Sequence, residues 1–302
     1  MISEVITPSL KIELERSGPS EGAPIFLIHG WPDSVQTWNG ILNQLHDAGF
    51  ETFAPSLRAY GGTMFQEAAT SGRGETPLPR SGETGALARD ILDLADALNI
   101  PRFGLVGHDW GTRALFDACI LAPERIGFAV ALSLGWTPPS AGRELSWRQK
   151  QCIWYQWYLA TPHGAAAFRA DPEGFCRHLW ETWSPKGWYR EEDWQEVLAA
   201  FHSPDWCDVV IHFYRARWGL AEPDPYYAAD LEVIGRAKEI LTPTMVIHGL
   251  EDGCCLAELS DGCEDYFPGG YALETLPGIG HFPQREAAED VGRLILDWAS
   301  KH

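Results

Sequence analysis

Basic residues are scarce in this chain: 23 Lys and Arg stand against 42 Asp and Glu, a formal net charge of −19 over 302 residues. Such a balance favours solubility and argues against nucleic acid or an anionic membrane as a partner. Long apolar runs are missing too, and nothing approaches the ~20 residues that cross a bilayer. The start, Met1-Ile-Ser-Glu-Val-Ile-Thr-Pro8, has neither the basic leader nor the apolar stretch of a secretory signal. No Cys/His spacing fits zinc, and no glycine-rich loop followed by lysine fits a phosphate, so neither metal nor cofactor is expected. Seven cysteines, odd in number and scattered, form no disulfide framework and read as reduced thiols of a cytoplasmic protein. Adjacent Cys254 and Cys255 stand out, with Cys263 close enough in sequence to be bridged; inert packing is their expected role.

What is present is a chain 45% hydrophobic, long enough to bury one substantial α/β core with an insert. Its most informative segment is Gly107-His-Asp109-Trp-Gly111. The apolar run 102–107 reads as a buried parallel strand, and 111–122 has helical spacing up to Pro123. Small residues two before and two after Asp109 suit a sharp strand-to-helix turn, where a nucleophile would stand exposed. A carboxylate there is ionised without help and, on attacking saturated carbon, leaves an ester that activated water can cut. A solvated aspartate at a helix N-terminus explains the same five residues.

Two further groups favour the catalytic reading. Residues 242–249 form a second buried run followed by Asp252, and 271–276 a third followed by His281. Nucleophile, acid and histidine in this order, each just after a strand, is the chain order of an α/β-hydrolase fold. Glu251 competes with Asp252 as the acid; Asp252 is preferred because it lies deeper in the loop. Strand 25–28 turns into His29-Gly-Trp31-Pro32, and the backbone amides of Trp31 and Trp110 are the expected oxyanion donors. The segment Ala131-Leu-Ser133-Leu-Gly135 passes for a serine elbow, but Trp136-Thr-Pro-Pro139 cannot begin a helix, so Ser133 is placed at a strand end.

With these residues together, the chain resembles the epoxide hydrolases of the α/β-hydrolase fold, relatives of the haloalkane and haloacetate dehalogenases. The likeness runs through His29 to Ser34, Leu57-Arg58 with Tyr60-Gly61, the elbow, 249–252 and Gly280-His281. It implies a mostly parallel central sheet flanked by helices, with an inserted helical cap: core 1–136, cap 137–231, core 232–302. It also implies two cap tyrosines that donate protons to the opened epoxide oxygen. Trp154-Tyr155-Gln-Trp-Tyr158 with Pro162 resembles the first motif and His212-Phe-Tyr214-Arg215 the second, which makes Tyr155 and Tyr214 the candidates; Tyr158, on the same helix face, is the alternative to Tyr155. His29, Pro32, Trp154 and Gln156 are the expected pocket residues. The dehalogenases fit less well: the haloacetate enzymes carry arginine where Trp110 stands and a His-Trp pair in place of Tyr155-Gln156, and the haloalkane enzymes often have a polar residue in place of Trp31. A third reading, a ligand-binding protein that has lost turnover, leaves triad and tyrosines without a purpose.

Nine tryptophans between 147 and 218 suggest an aromatic, apolar pocket, ill suited to charge, although aromatic stripes are usually core. Expected partners are therefore an apolar small molecule and at most a second copy of the chain. Elsewhere the pattern predicts strands at 9–15, 24–28, 51–55 and 126–132. It predicts helices at about 34–48, 83–98 and 286–300, with a long surface loop over 61–84 beside the active-site mouth. Pro138-Pro139 marks the exit to the cap, and the chain returns near 230–239.

Overall fold

A computed structural model describes residues 1–66 and 80–302. Among the described residues nine strands form one sheet: β1 (Ile2–Ile6), β2 (Leu10–Ser17), β3 (Ala23–Ile28), β4 (Phe50–Pro55), β5 (Met64–Phe65), β6 (Phe103–His108), β7 (Ile126–Leu132), β8 (Thr244–Gly249) and β9 (Tyr271–Leu276). The order is β1-β2-β4-β3-β6-β7-β8-β9, with β5 paired to β2. From β4 to β9 every pairing is parallel, whereas β1, β2 and β5 pair antiparallel at one edge. This is the α/β-hydrolase fold that the resemblance implied.

The strands are apolar on both sides because both are covered. Ile25, Leu27, Val106, Val130 and Ile247 face the layer of α1 (Leu42–Asp47) and α12 (Ala288–Ala299), where Val291, Leu294, Ile295 and Trp298 form the buried stripe foreseen for the last helix. Phe26, Ile28, Leu105 and Ala131 face the opposite layer, built on α2 (Thr84–Ala97) and α3 (Trp110–Leu121). Between β7 and β8 the chain makes α4 (Trp147–Cys152), α5 (Trp154–Ala160), α6 (Pro162–Ala170), α7 (Pro172–Trp183), α8 (Glu191–Leu198), α9 (Trp206–Arg217) and α10 (Ala228–Arg236). A short α11 (Pro283–Glu286) precedes α12. Among the described residues no helix is long and apolar enough to cross a membrane.

Three expectations need correction. The helix expected over 34–48 is a 3-10 turn at Val35–Trp38 and then α1, because Asn39-Gly40 interrupts it; a Cβ on Gly40 would lie 2.7 Å from Ala288 Cβ. The first strand went unforeseen because β1 is an edge strand with no buried face, so its sequence carries no strong alternation. Of the loop expected over 61–84, residues 67–79 lie outside the described residues; on its flanks β5 pairs with β2 and α2 begins at Thr84.

One buried ion pair ties the core together near the cap's return. Arg58, fully buried, forms a two-pronged bond to Asp90 on α2 (2.8 and 2.7 Å) and also donates to Ser81, to the Ala86 carbonyl and to Tyr227 Oη just before α10. Removing one partner of such a pair strands the other charge in the interior. Arg58→Leu is therefore expected to cost about 3–5 kcal/mol in denaturant unfolding at neutral pH. The loss should shrink in acid, because burial already raises Asp90 above the usual carboxylate range and, without Arg58, it takes up a proton.

Candidate active site

Strand β6 delivers Asp109 to a turn that only small flanking residues permit. A Cβ on Gly107 would stand 2.4 Å from the Gly111 carbonyl oxygen, and one on Gly111 would stand 2.1 Å from that of Ile28. Asp109 itself takes φ 49° and ψ −108°, a conformation that costs a non-glycine residue on the order of 1–3 kcal/mol. The side chain is thereby lifted off the sheet toward the cap. It is only 5% exposed.

Its two oxygens have different surroundings. Oδ1 accepts the Trp31 amide at 3.1 Å, while Oδ2 lies 3.8 Å from His281 Nε2. The other expected amide, that of Trp110, makes no hydrogen bond to the carboxylate. On its far side His281 donates Nδ1–H to Asp252 Oδ2 at 2.8 Å, and Asp252 Oδ1 accepts the amides of Cys254 and Cys255 at 2.7 and 2.8 Å. Asp252 is thus the acid that reaches the histidine; Glu251 is exposed.

Charge follows this geometry. Burial pushes Asp252 up, but the neighbouring His281 and His248 together bring the carboxyl down to about 2. Burial likewise opposes the Asp109 carboxylate, and the neighbouring His281 holds it below the usual range. Burial would strip the His281 proton, yet the carboxylates of Asp252 and Asp109 hold its pKa well above the ordinary histidine value. The resting site is a buried imidazolium between two carboxylates.

The tyrosines come from the cap. Tyr155 on α5 and Tyr214 on α9 are both buried, with ring centroids 5.4 Å apart in an edge contact. Tyr214 Oη accepts the indole N–H of Trp110 at 3.1 Å. Tyr155 Oη accepts Gln156 Nε2 at 3.0 Å, and Gln156 Oε1 in turn accepts Arg217 Nε at 3.1 Å. Arginine only donates, so the amide oxygen must face Arg217 and the amide N–H₂ must face the tyrosine. Each phenol therefore receives a hydrogen bond, and Tyr155 Oη also lies 3.3 Å from Cys254 Sγ, where either group can donate. Burial raises both well above the usual tyrosine value, with the charge of Asp109 adding to it, so both stay protonated at neutral pH. Tyr158 sits further out, stacked on Phe175.

Comparisons with known proteins bear on the fold and the family. Residues 23–288 fit the model of a family described as the alpha/beta hydrolase fold. The chain belongs to that family. An epoxide hydrolase of Caballeronia sordidicola is 25% identical over 97% of this chain and 92% of its own length. Epoxide hydrolase 2 of Siraitia grosvenorii is 29% identical over 96% of each chain. Among solved structures, a Klebsiella pneumoniae protein provisionally assigned as an epoxide hydrolase superposes with a TM-score of 0.90 at 31% identity, covering 99% of this chain and 97% of that one.

Within this family member the expected pocket residues need revision. His29 is fully buried behind the oxyanion turn, where Nδ1 donates to the Gly30 carbonyl and Nε2 accepts the Leu57 amide. It fixes the turn, and burial brings its pKa down to about 4, so it stays neutral. The Pro32 carbonyl accepts the Trp180 indole N–H at 2.7 Å, which ties the turn to the cap. Trp154 points outward and is 39% exposed. The wall over Asp109 is made instead by the Trp31 ring, packed on Trp110, Tyr155, Tyr214 and Trp183 with centroids 5.4–6.1 Å away. Gln156 lines a cavity of about 510 Å³ between core and cap.

Sequence reasoning missed several supports. The His281 carbonyl accepts both His108 Nε2 and Ser133 Oγ at 2.8 Å, and the His281 amide donates to Ser184 Oγ at 2.9 Å. Ser133 is thus no nucleophile but an anchor for the base. Burial and the charge of His281 bring His108 down to about 4. Cys254 was expected to be inert packing, yet its Sγ lies 3.3 Å from Tyr155 Oη and 3.8 Å from Cys255 Sγ. All seven cysteines are free, Cys263 included. Nothing in the spacing of these residues pointed to His281, since their partners are distant in sequence.

Asp252, Cys254 and His281 offer an oxygen, a sulfur and a nitrogen within 4.8 Å of one another, the one such group among the described residues. Asp252 and His281 are already bound to each other, so an ion there would compete with the base's own orientation. Replacing Asp252 tests the electrostatics. With one of the two flanking charges gone, Asp252→Asn is expected to lower the His281 pKa, read from the ring resonances in an NMR pH titration.

Proposed function

We propose that Asp109 Oδ2 is the nucleophile of an epoxide hydrolase that opens its substrate to a vicinal diol through a covalent ester. The observation that carries this is the pairing of a nucleophilic carboxylate with two buried cap phenols that stay protonated at neutral pH. Opening the three-membered ring leaves an alkoxide, and only that reaction needs a donor facing the nucleophile. Halide displacement leaves none, so a dehalogenase has no use for two tyrosines. A pure binder has no use for the strained elbow.

In the first step Oδ2 bonds to a ring carbon, the carbon–oxygen bond breaks, and its electron pair goes to the oxygen, which takes a proton from Tyr155 or Tyr214. Oδ1, fixed by the Trp31 amide, becomes the ester carbonyl. Forming the ester removes the negative charge of Asp109, and with it one of the two interactions that hold the His281 proton. His281 becomes a base when the second step calls for one. It takes a proton from water, which attacks the Asp109 acyl carbon; the oxyanion gathers on the Trp31 amide, with Trp110 as the second expected donor. The bond between the acyl carbon and Oδ2 then breaks and the departing alkoxide takes the remaining proton of the added water, so the diol leaves and the carboxylate is restored; the original His281 proton has meanwhile replaced the one the tyrosine gave, and the proton taken from water restores the imidazolium. No cofactor enters. The cap, residues 137–231 between core segments 1–136 and 232–302, supplies both tyrosines, and its aromatic wall favours a substrate that is apolar around its reacting carbons. The seven unpaired thiols support a cytoplasmic setting.

The test is to stop the reaction halfway. His281→Gln incubated with styrene oxide is expected to gain the mass of one substrate on Asp109 in intact-mass spectrometry, with turnover abolished; undiminished turnover would reject the base. Tyr155→Phe and Tyr214→Phe together are expected to slow ester formation ~10²–10⁴-fold, the usual worth of a positioned acid. Single-turnover quench measures that rate directly.

A further inference from the structure

The cavity between core and cap has a chemistry that epoxide opening does not use. About 510 Å³ in volume, it is lined by Arg113 on α3 and Arg217 at the end of α9, with Gln156, Ile153, Cys255 and Asp117. Among the described residues neither arginine has an ion-pair partner, although most other arginines of the chain do. The charge of Arg113 is the first cause that brings Arg217, whose side chain reaches solvent, down to about 10. Two like charges left facing one space are unfavourable unless an anion sits between them. Asp117, the carboxylate on this wall, does not neutralise them fully, since burial lifts it to about 7.

Hydrogen bonds link the cavity wall to one of the reacting groups. Arg217 Nε holds Gln156 Oε1, and Gln156 Nε2 holds the Tyr155 hydroxyl, so two hydrogen bonds span from cavity wall to proton donor. On the other side Arg113 follows Asp109 by four residues on the same helix, roughly 6 Å along its axis. With Nε engaged by Gln156, the terminal N–H groups of Arg217 remain for a ligand.

Resting on the epoxide reading, we propose that Arg113 and Arg217 form an anion subsite, and that the preferred substrate is an epoxide carrying a carboxylate about one aromatic ring away from the reacting carbons. A carboxylate matches the planar guanidinium fork. A dianionic phosphate suits the cavity less well, because Asp117 shares the wall. This revises the expectation of a site closed to charge: the aromatic wall surrounds the ring to be opened, and the charge lies beyond Gln156.

The test compares 4-carboxystyrene oxide with its methyl ester and with styrene oxide. The acid is expected to be favoured over the ester by about tenfold or more in kcat/KM, carried mainly by KM. The ratio should collapse toward one in Arg217→Gln and Arg113→Gln and survive in part in Arg217→Lys. Equal kcat/KM for acid and ester, or a ratio untouched by either glutamine variant, would overturn the subsite while leaving the hydrolase intact. Failure to open any of the three epoxides would instead reject the epoxide reading. A binding arm keeps the two apart: by calorimetry the wild type should bind 4-ethylbenzoate at least about tenfold more tightly than 4-ethylbenzamide, and equal affinities would overturn the subsite without reference to turnover.

Discussion

A single imidazolium held between two buried carboxylates organises this molecule. His281 sits 2.8 Å from Asp252 and 3.8 Å from Asp109, with His248 Nε2 3.4 Å from the Asp252 carboxylate and the charge of Arg113 adding to the hold on Asp109. A buried negative charge is costly unless paired, so nucleophile and acid both depend on the histidine proton and the histidine depends on both of them. The arrangement is stable only while Asp109 is charged. Alkylation of Asp109 breaks the balance, and the same proton that steadied the resting site becomes free to leave. The switch from nucleophilic attack to general-base chemistry needs no movement of the backbone.

That balance demands rigid placement, and the fold supplies it from several directions. The carbonyl of His281 is anchored by His108 and Ser133 from the ends of β6 and β7, its amide by Ser184 from the cap, and its ring by Asp252 from the loop after β8. The oxyanion turn is fixed from behind by His29 and from the cap by Trp180. The parallel sheet is what makes this convergence possible, because the C-terminal ends of β3, β6, β7 and β8 all open to one side.

The cap contributes a different kind of order. Its aromatic residues pack Tyr155 and Tyr214 among rings, and that burial keeps both phenols protonated. The donor-only groups Trp110 Nε1 and, through Gln156, Arg217 decide which way each hydroxyl faces. Gln156 thus stands between the chemistry at Tyr155 and the charged cavity behind it, where binding energy from a remote anion could bear on the reacting centre.

Local pattern determined a great deal here. Apolar runs ending in glycine marked the parallel strands, and Gly107 and Gly111 marked the elbow because backbone carbonyls leave no room for a Cβ at either place. The chain order of Asp109, Asp252 and His281 followed from their positions after strands, which is a one-dimensional property. What pattern could not reach depended on residues far apart in the chain: that His29 faces inward to Leu57 and away from the pocket, that Trp154 turns outward, that Cys254 touches Tyr155, and that Arg113 and Arg217 share one cavity. Their roles are set by neighbours some 30 to 100 residues away, and side-chain direction on a short helix or turn is decided by those neighbours. Sequence by itself therefore determined the scaffold and the candidates for nucleophile, acid and base. Tertiary structure alone decided which of the surrounding side chains face the substrate and where charge can be accommodated, because burial and electrostatic pairing exist only once distant segments meet.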